Sequence, residues 1–385
     1  MPEAETSEQE RTARQREREA IQRQCERFLH GHGPVRMRAA LEALAAEVGE
    51  DEDPDNYGAG DLIASFEHEV AGLLGKEAAV FMPSGTMAQQ IALRIWSERT
   101  GRTTVAFHPT CHLELHEEKG YQYLHGLRAR LVGVPHRLLR LDDLREVAEP
   151  IAALLIELPQ REIGGQLPEW DELQAQISWA RERGAAVHMD GARLWEAAPY
   201  YERAYAEIAA LFDTVYVSFY KGLDGFSGAA LAGPADVIAE ACVWQRRHGG
   251  NLRTLFPYVL AARAGLRERL GRFPHYHQRA LAIGRVLADI PGIVVKPDPP
   301  QTHMMHVYLH GNRERMEAEA LAIAREEHVG LFWRLIPAEV PGYGKFELAI
   351  GDAADALRDD EIEAYFERVI AAGSHQETPD VVAAV

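Results

Sequence analysis

Apolar residues recur along this chain in two alternating rhythms. From Asp61 to Leu74 they fall three and four apart, as on the buried face of a helix, and Gly75 follows as a C-terminal stop. Ala78–Met82 is a short unbroken apolar run that reads as a strand, with a turn and a helix over Met87–Arg99 behind it. The succession then repeats. Strands are predicted at Thr103–Phe107, Ile151–Leu158, Gly184–Met189 and Thr214–Phe219, and helices at Trp170–Arg183 and Asp236–Arg247. Gly133–Ala148 carries a strand-turn-helix pattern, and Arg36–Val48 has helical spacing. Alternation of this kind predicts an α/β fold with a mostly parallel sheet. Leu255–Ala288 reads as one long helical stretch. Strands within Gly292–Leu309, a helix Arg313–Glu327, strands Leu331–Leu335 and Lys345–Ile350 and a last helix Asp359–Ala372 then read as a smaller α+β layer. The expected division is a charged helix or tail over 1–29, a large domain over 30–255, a small domain over 256–373 joined by the long helix, and a disordered tail over 374–385.

Candidate chemistry gathers where strands end. VHMDGARLWEA places Asp190, a glycine and Arg193 just past one strand, and VYVSFYKGLDGFSGAALAG places Lys221 and a glycine-rich turn just past the next. In an open parallel sheet, ligands lie outside the carboxyl ends of the strands, so both motifs point polar groups into one cleft. A lysine and an aspartate so placed suit pyridoxal phosphate: the amine reacts with the aldehyde, and the carboxylate keeps the pyridine nitrogen protonated. Upstream, PSGTMAQQ joins a strand to a helix through Ser84, Gly85 and Thr86, a geometry that offers free backbone N–H groups to a phosphate.

Composition narrows the setting. A net charge of −18 argues against nucleic acid, whose phosphate backbone demands clustered cations. No run of 18 apolar residues appears, so no membrane is expected, and the charged first residues carry no apolar secretory core. Cys25, Cys111 and Cys242 lie far apart, which suits a reducing cytoplasm better than a disulfide framework or a zinc site. His30 and His32 in HGHGP have no further ligand at metal spacing, so no metal is expected.

HMDGAR, a lysine some thirty residues later, and KEAAVFMPSGTMAQQIAL upstream together resemble the L-threonine aldolase and β-eliminating lyase group of fold-type I pyridoxal-phosphate enzymes. The resemblance implies a seven-stranded-type, mostly parallel sheet with a small C-terminal α+β domain. It implies cleavage of the Cα–Cβ bond of a threonine-like β-hydroxy-α-amino acid to glycine and an aldehyde, in a homodimer or homotetramer. It places Lys221 on the cofactor aldehyde, Asp190 on the ring nitrogen, His112 against the ring and Tyr57 nearby. Ser84, Gly85, Thr86 and, from a neighbouring subunit, Arg253 fall to the phosphate, and Arg193 to the substrate carboxylate.

Two departures stand out. Where the family carries the histidine favoured as base for the substrate hydroxyl, this chain has Gln160 among the residues facing substrate, and an amide cannot take up a proton near neutral pH. His30, His32, His108 and His116 are the substitutes to weigh. Where the family carries a carboxylate-gripping arginine in the small domain, this chain has Glu347, with Lys345 or Arg334 as replacements. These departures leave β-elimination, racemisation or transamination as the alternative chemistry, because Lys221 alone can serve as base at Cα.

Overall fold

The computed structural model describes residues 15–374. Residues 1–14 of the expected charged segment and the expected tail beyond Ser374 lie outside the described residues. The strands, in chain order, are β1 (Arg27–Phe28), β2 (Ala78–Met82), β3 (Thr104–Phe107), β4 (Arg128–Leu131), β5 (Ala153–Glu157), β6 (Ala186–Gly191), β7 (Thr214–Ser218), β8 (Ala229–Gly233), β9 (Ile293–Lys296), β10 (Met304–His310), β11 (Val329–Gly330), β12 (Ile336–Pro337) and β13 (Tyr343–Ala349).

The chain separates into two compact units. One is contiguous, residues 35–277; the other joins described residues 15–34 to 278–374. The boundary therefore falls inside the helix Phe273–Ala288 rather than between 255 and 256. The expected long helix is broken. Phe256–Arg269 ends in a 3-10 turn, Leu270–Arg272, and Phe273–Ala288 begins anew. Pro274 explains the restart, since proline is tolerated in a first turn and not in a helix interior. The first of these helices is tied to the larger unit by Asp55, whose carboxylate accepts the N–H groups of Leu255 and Phe256 at 2.7 and 2.8 Å.

The larger unit holds a seven-stranded sheet in the order β2-β8-β7-β6-β5-β3-β4. Only β8 opposes the others, being antiparallel to both β7 and β2. The remaining pairs, β3–β4, β3–β5, β5–β6 and β6–β7, are parallel. The expected mostly parallel sheet is present, with two strands the hydrophobic pattern did not reveal. β8 is AALAG, whose alanines carry no strand signal beside a glycine-rich turn, yet all five of its residues are buried. β4 is RARL, a polar and largely exposed edge strand. No strand forms in Gly133–Ala148, where only the short helix Leu141–Arg145 is regular. Packing beneath the sheet is aromatic: Phe219 lies 5.1 Å from Phe66 and 6.0 Å from Phe81, ring centre to ring centre.

The smaller unit is built on the antiparallel sheet β12-β13-β10-β9, with β1 pairing β11 in parallel. Phe332 stacks on Phe346 at 4.7 Å in its core. Leu331–Leu335 is not the expected strand. Three of its residues are buried, which gives it an apolar pattern, but its backbone makes no ladder.

On the free edge of the larger sheet, the Glu67 carboxylate accepts the outward N–H of Phe81 at 2.7 Å. Burial pushes this carboxyl up to about 7, against the opposing pull of that N–H. A carboxyl held protonated in the fold adds stability that is complete below its ordinary value of 4.5 and is lost as pH rises through about 7. Glu67→Gln keeps an acceptor and cannot ionise. Its melting temperature should improve relative to the unaltered protein between about pH 5 and about pH 8.5. A difference that stays flat between those pH values would show that Glu67 ionises normally.

Candidate active site

Six of the seven large-sheet strands run in one direction, so their carboxyl ends share one edge. Ser84 follows β2, His112 follows β3, Gln160 follows β5, Arg193 follows β6 and Lys221 follows β7. Asp190 sits within β6, paired with Glu157 of β5 on one side and Tyr216 of β7 on the other.

Asp190 is only 1 % exposed. Its Oδ1 accepts the Ala192 N–H at 3.1 Å and its Oδ2 accepts Nε2–H of Gln89 at 2.9 Å. Burial pushes its carboxyl up and like-charged Glu117 adds to this, while the two donors and His112 oppose it. The neighbouring Glu157 is pushed up as well, first by burial and then by Asp190, with Arg193 opposing. Asp190 thus has neutral donors on both oxygens and two further carboxylates close by, in a place from which water is largely excluded. A buried carboxylate in such company calls for a cationic partner. A protonated pyridine nitrogen meets that need, so the residues fit pyridoxal phosphate.

Lys221 stands three residues beyond the end of β7, held by anchors on either side. Phe219 is buried in the aromatic core, and Trp195 donates its indole N–H to the Ser218 carbonyl at 2.9 Å. After the lysine the chain turns back tightly: Gly225 N–H bonds the Phe219 carbonyl at 2.8 Å, and Gly228, at φ +110°, lies where any side chain would meet the Phe81 ring. The Lys221 ammonium lies 4.8 Å from the centre of the Tyr220 ring.

The turn after β2 forms as the sequence predicts, and the helix begins two residues earlier than expected, at Gly85. Ser84 is its N-cap, accepting Met87 N–H at 3.3 Å. Gly85 is required by packing rather than by its dihedral angles: a Cβ there would fall 2.0 Å from the Tyr216 hydroxyl.

Gln160 is buried, and its amide nitrogen is committed. It donates to Glu157 Oε2 at 3.0 Å and to the Thr110 hydroxyl at 3.1 Å, which ties the turn after β5 to the turn after β3. Only its carbonyl oxygen is left to offer a ligand. Thr110 in turn serves His108. The Nε2 of His108 faces the carbonyls of Val134 and Arg137 at 3.0 and 2.9 Å, so it must carry the proton, and Nδ1 accepts from Thr110. Both ring nitrogens are occupied, and burial lowers the His108 pKa, which removes it as a substitute base. His116 is paired with Glu162 at 2.8 Å. His30 and His32 belong to the smaller unit, where His32 pairs with Asp352.

His112 opens the short helix His112–Leu115, and its Nδ1 lies 3.1 Å from Glu117 Oε1. Arg193 is mostly buried beside Glu196, with Nε and Oε1 3.8 Å apart. Tyr57 and Arg253 are brought to each other, Tyr57 N–H bonding the Arg253 carbonyl at 2.8 Å, and both side chains are exposed. Among the described residues no hydrogen bond joins this pair to the strand-end group. In the smaller unit, His30, Trp333, Arg334, Lys345 and Glu347 line one cavity of about 260 Å³, and Lys345 pairs with Glu339. The cationic candidates for the substrate carboxylate therefore share a cavity with Glu347.

Sequence reasoning passed over Gln89, Gln90 and Glu117. Two consecutive glutamines in the apolar pattern of Gly85–Thr100 were the available signal, for both are buried.

Most of the chain compares closely with two solved structures. One, from Exiguobacterium sp. 255-15, is a candidate aromatic amino acid β-eliminating lyase or threonine aldolase, 41% identical with a TM-score of 0.87 over 93% of this chain and 99% of that one. The other, a candidate L-allo-threonine aldolase from Listeria monocytogenes, is 39% identical with a TM-score of 0.88 over the same shares. The low specificity L-threonine aldolase of Escherichia coli K12 is 30% identical over 70% of this chain and 80% of its own length. Residues 32–310 match the model of one family throughout, and the chain belongs to it: the beta-eliminating lyases.

Proposed function

We propose that this protein is a pyridoxal-phosphate-dependent lyase that cleaves the Cα–Cβ bond of a threonine-like β-hydroxy-α-amino acid to glycine and an aldehyde. The observation that carries this reading is the buried Asp190 within β6, one strand from the turn that bears Lys221, in a chain of the beta-eliminating lyase family. Relatives named as threonine aldolases support the choice of bond and substrate. The chemistry that pyridoxal phosphate supplies when bound is an aldehyde that captures amines and a conjugated ring that accepts the electron pair left by a broken bond to Cα.

The places of this chain's residues support the following roles. Lys221 supplies the amine for the cofactor. Asp190 holds the proton on the ring nitrogen, its two oxygens fixed by Ala192 and Gln89. The backbone N–H groups at the start of Gly85–Thr100, with Ser84 and Thr86 beside them, would hold the phosphate. The exposed Arg253, beside Tyr57, suits phosphate contact across a subunit interface in a homodimer or homotetramer. Arg193 would hold the substrate carboxylate, and His112 would lie against the ring. Free cysteines, two of them buried, are in keeping with a cytoplasmic setting.

A second reading keeps the cofactor and changes the bond. Gln160 cannot act as the hydroxyl base, so β-elimination or racemisation, which need a base only at Cα, would draw on Lys221 alone. The purified protein should show a visible cofactor band, and L-threonine or L-allo-threonine should yield acetaldehyde. Lys221→Ala should lose the band while its circular dichroism is kept. A band without acetaldehyde, together with pyruvate from an amino acid bearing a β-leaving group, would favour the second reading.

The phosphate site has its own test. Gly85→Ala drives a methyl group into Tyr216, and overpacking of this kind costs about 1–3 kcal/mol. The dissociation constant for added pyridoxal phosphate should rise by about tenfold or more. Unchanged affinity would remove this turn from the cofactor site.

A further inference from the structure

The hydroxyl base that Gln160 cannot supply leaves a gap, and one pair of side chains at the same edge of the sheet is built to fill it. Glu117 is buried beneath His112. Its Oε1 lies 3.1 Å from His112 Nδ1, and its Oε2 accepts Nε2–H of Gln90 at 3.2 Å. Glu117 and Gln90 are both largely withdrawn from solvent, while about a third of the His112 side chain remains exposed. The support behind the pair is close-fitting: a Cβ on Gly120 would lie 2.5 Å from Gln90 Nε2, so no side chain can occupy that position unless the glutamine moves.

A carboxylate only accepts hydrogen bonds, so the hydrogen between His112 and Glu117 belongs to Nδ1. That assignment reverses the usual preference of a free neutral imidazole, which carries its proton on Nε2. It leaves the Nε2 lone pair open on the opposite edge of the ring, and Nε2 makes no hydrogen bond among the described residues. A buried acid that fixes the tautomer of a histidine is a known way of making that histidine a base.

Resting on the lyase reading above, we propose that Glu117, backed by Gln90, is a positioning residue that holds the proton of His112 on Nδ1, so that Nε2 can take the proton of the substrate β-hydroxyl. Proton bookkeeping closes simply. Nε2 gains the hydroxyl proton as the C–O bond becomes a carbonyl and the Cα–Cβ bond breaks, and the resulting imidazolium is stabilised by Glu117. The Cα–Cβ electron pair stays with Cα, which takes up one proton from His112 or from solvent to complete glycine, and His112 returns to its neutral form.

The test uses the full-length holoenzyme, deuterated and labelled with 15N-histidine, with the His112 ring signals assigned by their loss in His112→Phe. The nitrogen shifts report which tautomer is present without reference to activity. In the unaltered protein His112 should carry its proton on Nδ1. Glu117→Leu removes the acceptor, so the proton should move to Nε2. The kcat for aldehyde release should then fall by about 10- to 100-fold, with KM changed by less than about threefold and the cofactor band unchanged. Glu117→Gln retains an acceptor oxygen. The Gln90 carbonyl oxygen, which is buried without a partner, can receive the new amide if Gln90 turns over. This variant should therefore keep the Nδ1 proton and most of the activity. A proton on Nε2 in the unaltered protein, or a Glu117→Leu variant with unmoved tautomer or undiminished kcat, would overturn the proposal. An unaltered protein that releases no aldehyde but shows the tautomer shift in Glu117→Leu would sink the lyase reading and leave the positioning by Glu117 standing.

Discussion

The larger unit is organised around three buried acids at the carboxyl ends of its central strands. Asp190 and Glu157 are neighbours in register on β6 and β5, and Glu117 lies close to both His112 and Asp190. Carboxylates in an apolar interior cost several kcal/mol each unless charge or hydrogen bonds answer them. Each one here is answered differently. Glu157 takes Gln160 and the Arg161 N–H and feels Arg193. Glu117 takes His112 and Gln90. Asp190 takes two neutral donors. The polar side chains around the site are arranged to satisfy these three groups, and Asp190, one strand from the turn that bears Lys221, is the one suited to hold a cationic ring.

This constraint explains why glutamine recurs. Gln89, Gln90 and Gln160 each donate an amide hydrogen to a buried carboxylate without adding charge of their own. A lysine or arginine at any of these positions would neutralise the acid outright and remove the field that favours a protonated ring nitrogen. Gln160 does more than satisfy an acid: bonded to both Glu157 and Thr110, it braces the turn after β5 against the turn after β3.

Much of this was legible in the sequence, and the boundary of what was legible has a physical cause. β2 and β7 were read to within a residue, and Asp190, Lys221 and Ser84–Thr86 stood out because each lies within four residues of a strand's carboxyl end. Their chemistry is local in the chain. The bond from Gln89 to Asp190 joins residues 101 apart, and no periodicity announces it. Likewise β8 is a strand because two neighbours bury it, not because AALAG prefers to be extended. His108 read as a possible base from its type alone, and only the two carbonyls facing Nε2 show that its proton is immobilised.

The interleaving of the two units in the chain has a consequence for synthesis. β1, at residues 27–28, finds its partner only at 329–330, about 300 residues later. At a translation rate of about 5–20 residues per second, that partner emerges roughly 15 to 60 s after β1 does. Residues 35–277 meanwhile form a contiguous unit that needs nothing from either terminus for its sheet. Among the described residues, the first strand to leave the ribosome is thus among the last to be paired. Through the intervening time it is an open edge, for which the nascent chain or a chaperone must provide cover.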